Sequence, residues 1–222
     1  MQFGHRFDTV NGQRLCISKS ISRESKLKIM ELDRFNLIRK RYGKLASWAT
    51  WSPQDDLEDA RSGIGDLSIF DPQNSRNVIR DLHTDFVLVA LNVSHEDKGV
   101  SDWRNFHSNY HRNTDYKLRR MLSGTKLWGA YITDIFKNFP EPNSRLVLKY
   151  CKEHPDELSS QVETFRDEME LVCSGQTVLI AFGDIVFKIL SDNLSKEFVV
   201  HKIPHYASMK TVADMRAECL KF

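Results

Sequence analysis

An α/β fold built on a mostly parallel sheet is what this sequence predicts, and three observations predict it. Four short apolar runs, DFVLVALNV (85–93), WGAYITDIF (128–136), TVLIAFG (177–183) and EFVVHKI (197–203), have the length and β-branched content of strands buried on both faces. Helical patterns lie between them. Polar groups stand at or just beyond the end of every run, as they do where strands feed into functional loops. Together these predict a three-layer sandwich around a central, mostly parallel four-stranded sheet, with a helical N-terminal segment. Residues 1–222 read as a single domain, with 1–80 as that segment and 81–222 as the α/β core.

Each element has its own signal. From Ser25 to Tyr42, Leu27, Met30, Phe35 and Ile38 recur at helical spacing, and Gly43 is placed to end that helix. SWATWSPQDD (47–56) breaks regular structure at Pro53. Over 156–173, Leu158, Val162, Phe165, Met169 and Val172 repeat at +4, +3, +4, +3 and make one apolar stripe. Gly183 opens a further helix over 184–193, and Ser208 is a candidate N-cap for a last helix carrying Val212, Met215 and Leu220. Strand–helix alternation implies right-handed crossovers, and ligands in such folds gather beyond the carboxyl ends of the strands.

Composition bounds the function. The chain has 222 residues, a formal net charge of +2, 41 % hydrophobic and 28 % charged residues, an ordinary globular balance. Global charge announces no nucleic-acid binder, although a local patch is compatible with it. Cys16, Cys151, Cys173 and Cys219 are widely spaced with no CxxC pair, which argues against a zinc site and for a reducing, cytoplasmic location. No run approaches the roughly 18 apolar residues of a membrane helix, so no membrane partner is expected. There is no G-x-S-x-G elbow, P-loop or G-x-G-x-x-G.

The four strand ends carry Asn92-Val93-Ser94-His95, Thr133-Asp134, Gly183-Asp184 and His205-Tyr206-Ala207-Ser208. In order and spacing, A-L-N-V (90–93), Y-I-T-D (131–134), L-I-A-F-G (179–183) and H-Y-A-S (205–208) resemble the motifs of the uracil-DNA glycosylase superfamily. That superfamily carries G-x-N-P or G-Q-D-P after the first strand, an Asn after the second, and H-P-S after the last. The resemblance covers roughly 85–210. It departs at Ala90 for Gly, Val93 for Pro, Asp134 for Asn, and Tyr206-Ala207 for Pro.

The resemblance implies a divergent hydrolase that excises a modified or deaminated nucleobase from single- or double-stranded DNA by cleaving the N-glycosidic bond, as a monomer and without metal or other cofactor. Asn92 would orient the attacking water, since an amide is a poor base. His205 would donate to the departing base. Phe106, with Trp103 second, would stack on the flipped base, and Thr133 and Asp134 would read its edge. Asp134 accepts but does not donate unless protonated, which disfavours uracil. Ser208, Met209 and Lys210 would meet the nucleic acid, Met209 as an apolar wedge.

Plainer readings stand beside these. Trp103 and Phe106 suit the buried face of a helix, Thr133-Asp134 a helix N-cap, and Arg39-Lys40-Arg41 with Lys44 a solvated face. Asp55, Asp56, Glu58 and Asp59 read as a charged helix start. His107 and His111 stand at ligand spacing for a helix but lack the HExxH form. A non-catalytic nucleic-acid or nucleotide binder on the same fold is the alternative, supported by the missing Gly and Pro of the first motif.

Overall fold

The computed structural model describes residues 30–52, 59–73, 76–93, 101–137, 139–173 and 175–222. In chain order these form α1 (Leu32–Tyr42), β1 (Ala46–Trp48), a 3-10 turn (Ser68–Phe70), α2 (Arg76–Asp81), β2 (His83–Asn92), α3 (Asp115–Leu122) and β3 (Ala130–Phe136). They continue with α4 (Ser144–Glu153), α5 (Pro155–Val172), β4 (Val178–Phe182), α6 (Gly183–Leu194), β5 (Val199–Ile203) and α7 (Val212–Cys219).

The sheet has five strands in the order β1-β3-β2-β4-β5 and is mixed. The four strands read from the sequence pair in parallel, and β1 adds an antiparallel edge, Ser47 opposite Ile132. The predicted four-stranded sheet is therefore one strand short. Three residues containing Ser and Trp gave no strand signal, and cross-strand pairing to β3 overrides that.

From β2 the chain first moves to β3 on one side and later returns to β4 on the other. Right-handed crossovers in opposite directions put the intervening helices on opposite faces. The cores agree. On one face Leu88, Ala90, Ile132 and Ile180 pack with Leu118, Met121 and Leu122 of α3 and Met215 and Cys219 of α7. On the other, Val87, Val89, Leu179 and Ala181 pack with Phe35 and Ile38 of α1, Val147 and Cys151 of α4, Phe165 and Met169 of α5, and Ile189 and Leu190 of α6. This reversal makes the carboxyl ends of β2 and β4 a topological switch point, where a crevice opens in such sheets.

Several helix boundaries follow local rules. Gly43 ends α1, its N–H donating to Arg39 O; a Cβ there would stand 2.6 Å from that carbonyl. In α5, Val162, Phe165, Met169 and Val172 are buried and Leu158 packs at their margin. The last helix starts later than expected: Thr211, not Ser208, is its N-cap, accepting from Asp214 N at 3.1 Å. Residues 25–29 lie outside the described residues.

Candidate functional site

β2 ends at Asn92, which is half-buried. Its Nδ2 lies 2.9 Å from Val93 O, 2.8 Å from Phe139 O and 2.8 Å from Glu141 O, so the amide nitrogen ties the loop after β3 to the end of β2. Among the described residues no donor meets its Oδ1. A planar amide anchored through nitrogen presents its oxygen away from those carbonyls, as an acceptor. His95 lies outside the described residues, as do Asp55, Asp56 and Glu58.

β4 ends in Phe182, and Gly183 turns the chain into α6 with φ +83°, a conformation glycine adopts without strain. A Cβ on Gly183 would stand 3.7 Å from that of His205. His205 follows β5 and stacks on Tyr206 with ring centroids 4.5 Å apart; Phe182 meets His205 at 6.1 Å and Tyr206 at 5.4 Å. Nδ1 of His205 accepts from Ala207 N at 3.0 Å, which makes Nε2 the N–H donor of the neutral ring. Desolvation holds its pKa below the ordinary histidine value and favours that neutral form.

Beyond His205 the chain turns outward. Met209 is fully exposed, Lys210 is exposed, and Ser208 N donates back to His205 O at 2.9 Å. The N-terminus of α7 is already met by Asp214, whose Oδ2 accepts from Thr211 Oγ1 at 2.7 Å. A backbone phosphate at that helix end would compete with this carboxylate.

Thr133 and Asp134 do not share a surface. Adjacent strand residues point to opposite faces. Thr133 enters a closed network on the α5 side. Its Oγ1 donates to Glu168 Oε1 at 2.9 Å and accepts from Lys137 Nζ at 2.5 Å; Tyr131 Oη also donates to Glu168 Oε1, at 2.8 Å. Lys137 Nζ lies 2.6 Å from Glu168 Oε2, and both side chains are almost wholly buried. That ion pair gives Oε2 its partner even though the angle is poor for a directed hydrogen bond. The ammonium also donates to Asp134 O at 2.6 Å. Thr133 is thus committed to structure, and neither it nor Asp134 caps a helix, since both lie inside β3.

Asp134 faces the α3 side. It is 3 % exposed. Its Oδ2 accepts from Asn105 Nδ2 at 2.8 Å. Near it Asp115, 7 % exposed in the first turn of α3, accepts from Ser108 N at 2.8 Å. Burial pushes both carboxyls up to about 6. The Asn105 hydrogen bond and Lys137 oppose this at Asp134, where Glu168 and Asp115 add to it; the Ser108 bond and Arg104 oppose it at Asp115. Tyr206 is half-exposed as a residue. Desolvation at its hydroxyl, then Asp115 and Asp134, push its pKa well above the ordinary phenol value. These three groups therefore sense one another.

The loop over 101–109 is no helix. Trp103 and Phe106 both sit at φ +65°, a conformation that costs bulky residues roughly 1–3 kcal/mol. Hydrogen bonds enforce it: Trp103 N donates to Gly43 O, Ser47 Oγ to Trp103 O, Phe106 N to Asn105 Oδ1, and Trp51 Nε1 to Phe106 O. Trp103 is core. It packs on Phe35 at 5.5 Å, Trp48 at 6.0 Å and Phe70 at 6.2 Å, leaving no ring face open to a base. Phe106, 5 % exposed, belongs to the cluster that holds Ala90 and Phe182, with Tyr206 at its margin.

His107 is fully buried, bonded to Trp48 O, and desolvation lowers its pKa to about 3; His111 is exposed, and neither is on a helix. Among the described residues no group of three metal-ligating side chains occurs. Arg39 and Lys44 reach Asp102 at 2.8 and 3.2 Å, while Lys40 and Arg41 face solvent. A groove of about 220 Å³ beside Arg39, Phe70, Asp102 and Trp103 includes none of Asn92, Asp134 or His205. No described helix is long and apolar enough to cross a membrane.

Asp115, Asn105 and the Lys137–Glu168 pair are missing from the sequence reading. Glu168 did leave a signal: it is a charged residue three positions after Phe165, beside the buried stripe of α5. Comparison with protein-family models, with curated proteins and with solved structures finds no match to this chain in any of the three.

Proposed function

We propose that this chain is a divergent glycosylase-like hydrolase, acting as a monomer that releases a modified or deaminated nucleobase from DNA by N-glycosidic cleavage. One observation carries the reading. Asn92, Gly183 and His205 stand at the carboxyl ends of three neighbouring strands, β2, β4 and β5, at the switch point of the sheet. Two strand spacings, roughly 10 Å, separate the first from the last, room for one base on edge. In this reading Asn92 Oδ1 orients the water, His205 Nε2–H faces the departing base, Phe106 lies beneath, and Met209 fills the vacated stack. Asp134 sits on the same face as Phe106 and reads the base.

The test is base release from duplexes carrying single uracil, hypoxanthine, xanthine or alkylated bases. Asn92→Ala and His205→Ala should each slow release by about 10²-fold, the scale of losing one positioned group, with the fold retained by circular dichroism. Wild type that releases nothing from any of them overturns the reading.

One observation favours the alternative, a non-catalytic nucleic-acid or nucleotide binder. The Asn92 amide already serves three carbonyls, as a purely structural asparagine would. DNA binding without release, unchanged in Asn92→Asp, distinguishes it.

A further inference from the structure

The two faces of the sheet differ in charge. Over 103–126, which holds α3 and the loop before it, six basic side chains stand against one carboxylate, the buried Asp115. Over 141–197, which holds α4, α5 and α6, eleven carboxylates stand against six basic side chains. The net charge of +2 therefore conceals a positive face and a negative one. The cations also differ in their partners. On the negative face Lys149, Arg166 and Lys188 pair with Glu153, Glu197 and Asp192. On the positive face Arg112, Lys117, Arg120 and Arg216 have no ion pair among the described residues.

These four are neighbours. Lys117 and Arg120 stand three apart on α3 and share one side of it. α3 packs against α7, and Arg216 of α7 reaches across to donate to Ser123 O and Arg120 O. Arg112 stands in the turn that leads into α3, closed by Asn113 N donating to Tyr110 O at 2.9 Å. Arg112 and Arg120 are exposed, Lys117 and Arg216 half-buried. An open ring joins them: Tyr110 is 50 % exposed and meets His111 at 4.4 Å. Arg61 fixes this turn, donating to His111 O at 3.0 Å while it lies 4.4 Å from the centre of the Tyr116 ring. The carboxylates of α7, Asp214 and Glu218, are engaged by Thr211 and Lys221.

Resting on the reading above that this chain acts on DNA, we propose that the α3–α7 face is a track for an unpaired DNA strand, its phosphates held by Arg112, Lys117, Arg120 and Arg216 and one of its bases stacked on Tyr110. Guanidinium forks suit phosphates, and an exposed ring suits a base whose own face is free. A duplex keeps its base faces stacked inside, out of reach of Tyr110. An anionic bilayer would call on an apolar helix face, whereas α3 buries Leu118, Met121 and Leu122. The first turn of α3 lies at the carboxyl ends of the strands, where its Asp115 acts on Asp134 and Tyr206. The track thus leads toward the turns that carry Asn92 and His205.

The experiment measures, by fluorescence anisotropy, binding of a short oligo-dT strand, of the same strand annealed to oligo-dA, and of phosphatidylserine vesicles. The single strand should bind most tightly. Lys117→Ala/Arg120→Ala should weaken it about tenfold at about 0.1 M salt and lower the slope of log affinity against log salt by about 1.4, two phosphate contacts at roughly 0.7 each. Tyr110→Ala should weaken it about tenfold, and Tyr110→Phe should restore it. Lys149→Ala/Lys188→Ala, on the negative face, should change nothing. None of these side chains is buried, so circular dichroism should show every variant folded. Affinity and slope unchanged in the α3 and Tyr110 variants overturn the track. So does a single strand that fails to bind, or that binds no more tightly than the duplex or the vesicles. Base release, assayed on the same preparations, decides the glycosylase reading separately. Binding as stated with no release refutes that reading and leaves the track; release with binding indifferent to these substitutions does the reverse.

Discussion

The two faces of β3 carry two buried polar clusters of opposite character. Toward α5, Lys137, Glu168, Thr133 and Tyr131 satisfy one another, and positive charge meets negative within 2.6 Å. Toward α3, Asp134 accepts from Asn105 and Asp115 from Ser108 N, two buried carboxylates side by side. Adjacent residues of one strand, Thr133 and Asp134, belong to different clusters because a strand alternates its side chains. A closed network of this kind gives a fold its uniqueness, whereas buried carboxylates beside one another are held with raised pKa values by desolvation.

The largest effect should come from breaking the closed side. Glu168→Ala leaves the Lys137 ammonium buried without its counter-ion, and about 3–5 kcal/mol of stability should be lost in urea unfolding. If the loss is below 1 kcal/mol, the network is not closed as described.

The α3 side should respond with the opposite sign. The folded pKa values of Asp134 and Asp115 stand near 6, above the unfolded value of 3.8. Between those limits the unfolded chain ionises first. Their contribution is therefore fully present below about pH 4 and is lost as pH rises through 6, by up to roughly 3 kcal/mol for each. Asp134→Asn does not titrate. It should stabilise the protein at pH 8 by about 1–3 kcal/mol, and the gap to wild type should shrink as pH falls from 6 to 4. A constant gap in a pH series of melts would show that Asp134 is not held raised by burial.

The smallest effect sharpens the contrast with the surface. Arg39→Ala breaks the partly exposed pair to Asp102 and should cost less than about 1 kcal/mol, most of it masked in high salt. A larger, salt-independent cost would mean that the loop over 101–109 leans on this pair.

Much of the architecture was legible in the sequence because valine- and leucine-rich runs bounded by polar residues have few other uses. All four runs are strands, and the stripe of α5 is buried as its spacing predicts. β1 was illegible: three residues carry no period. The candidate site was less readable. Trp103 and Phe106 fit a helical spacing, yet left-handed backbone at both, held by bonds to Gly43, Ser47, Asn105 and Trp51, sends one ring to each core. Thr133 and Asp134 were grouped by adjacency although the strand's alternation separates them. Asp115 and Glu168 meet their partners through tertiary packing, 7 and 31 or more positions away, so even the charge beside the α5 stripe that marks Glu168 could not name its partners.

Met209 stands wholly in water while Met30, Met121, Met169 and Met215 are buried. Its thioether is consequently the first of these five that peroxide would reach. A duplex seated against the turn after His205 would shield that sulfur, so the rate of sulfoxide formation at this residue is a built-in footprint, readable by mass spectrometry without label or substitution.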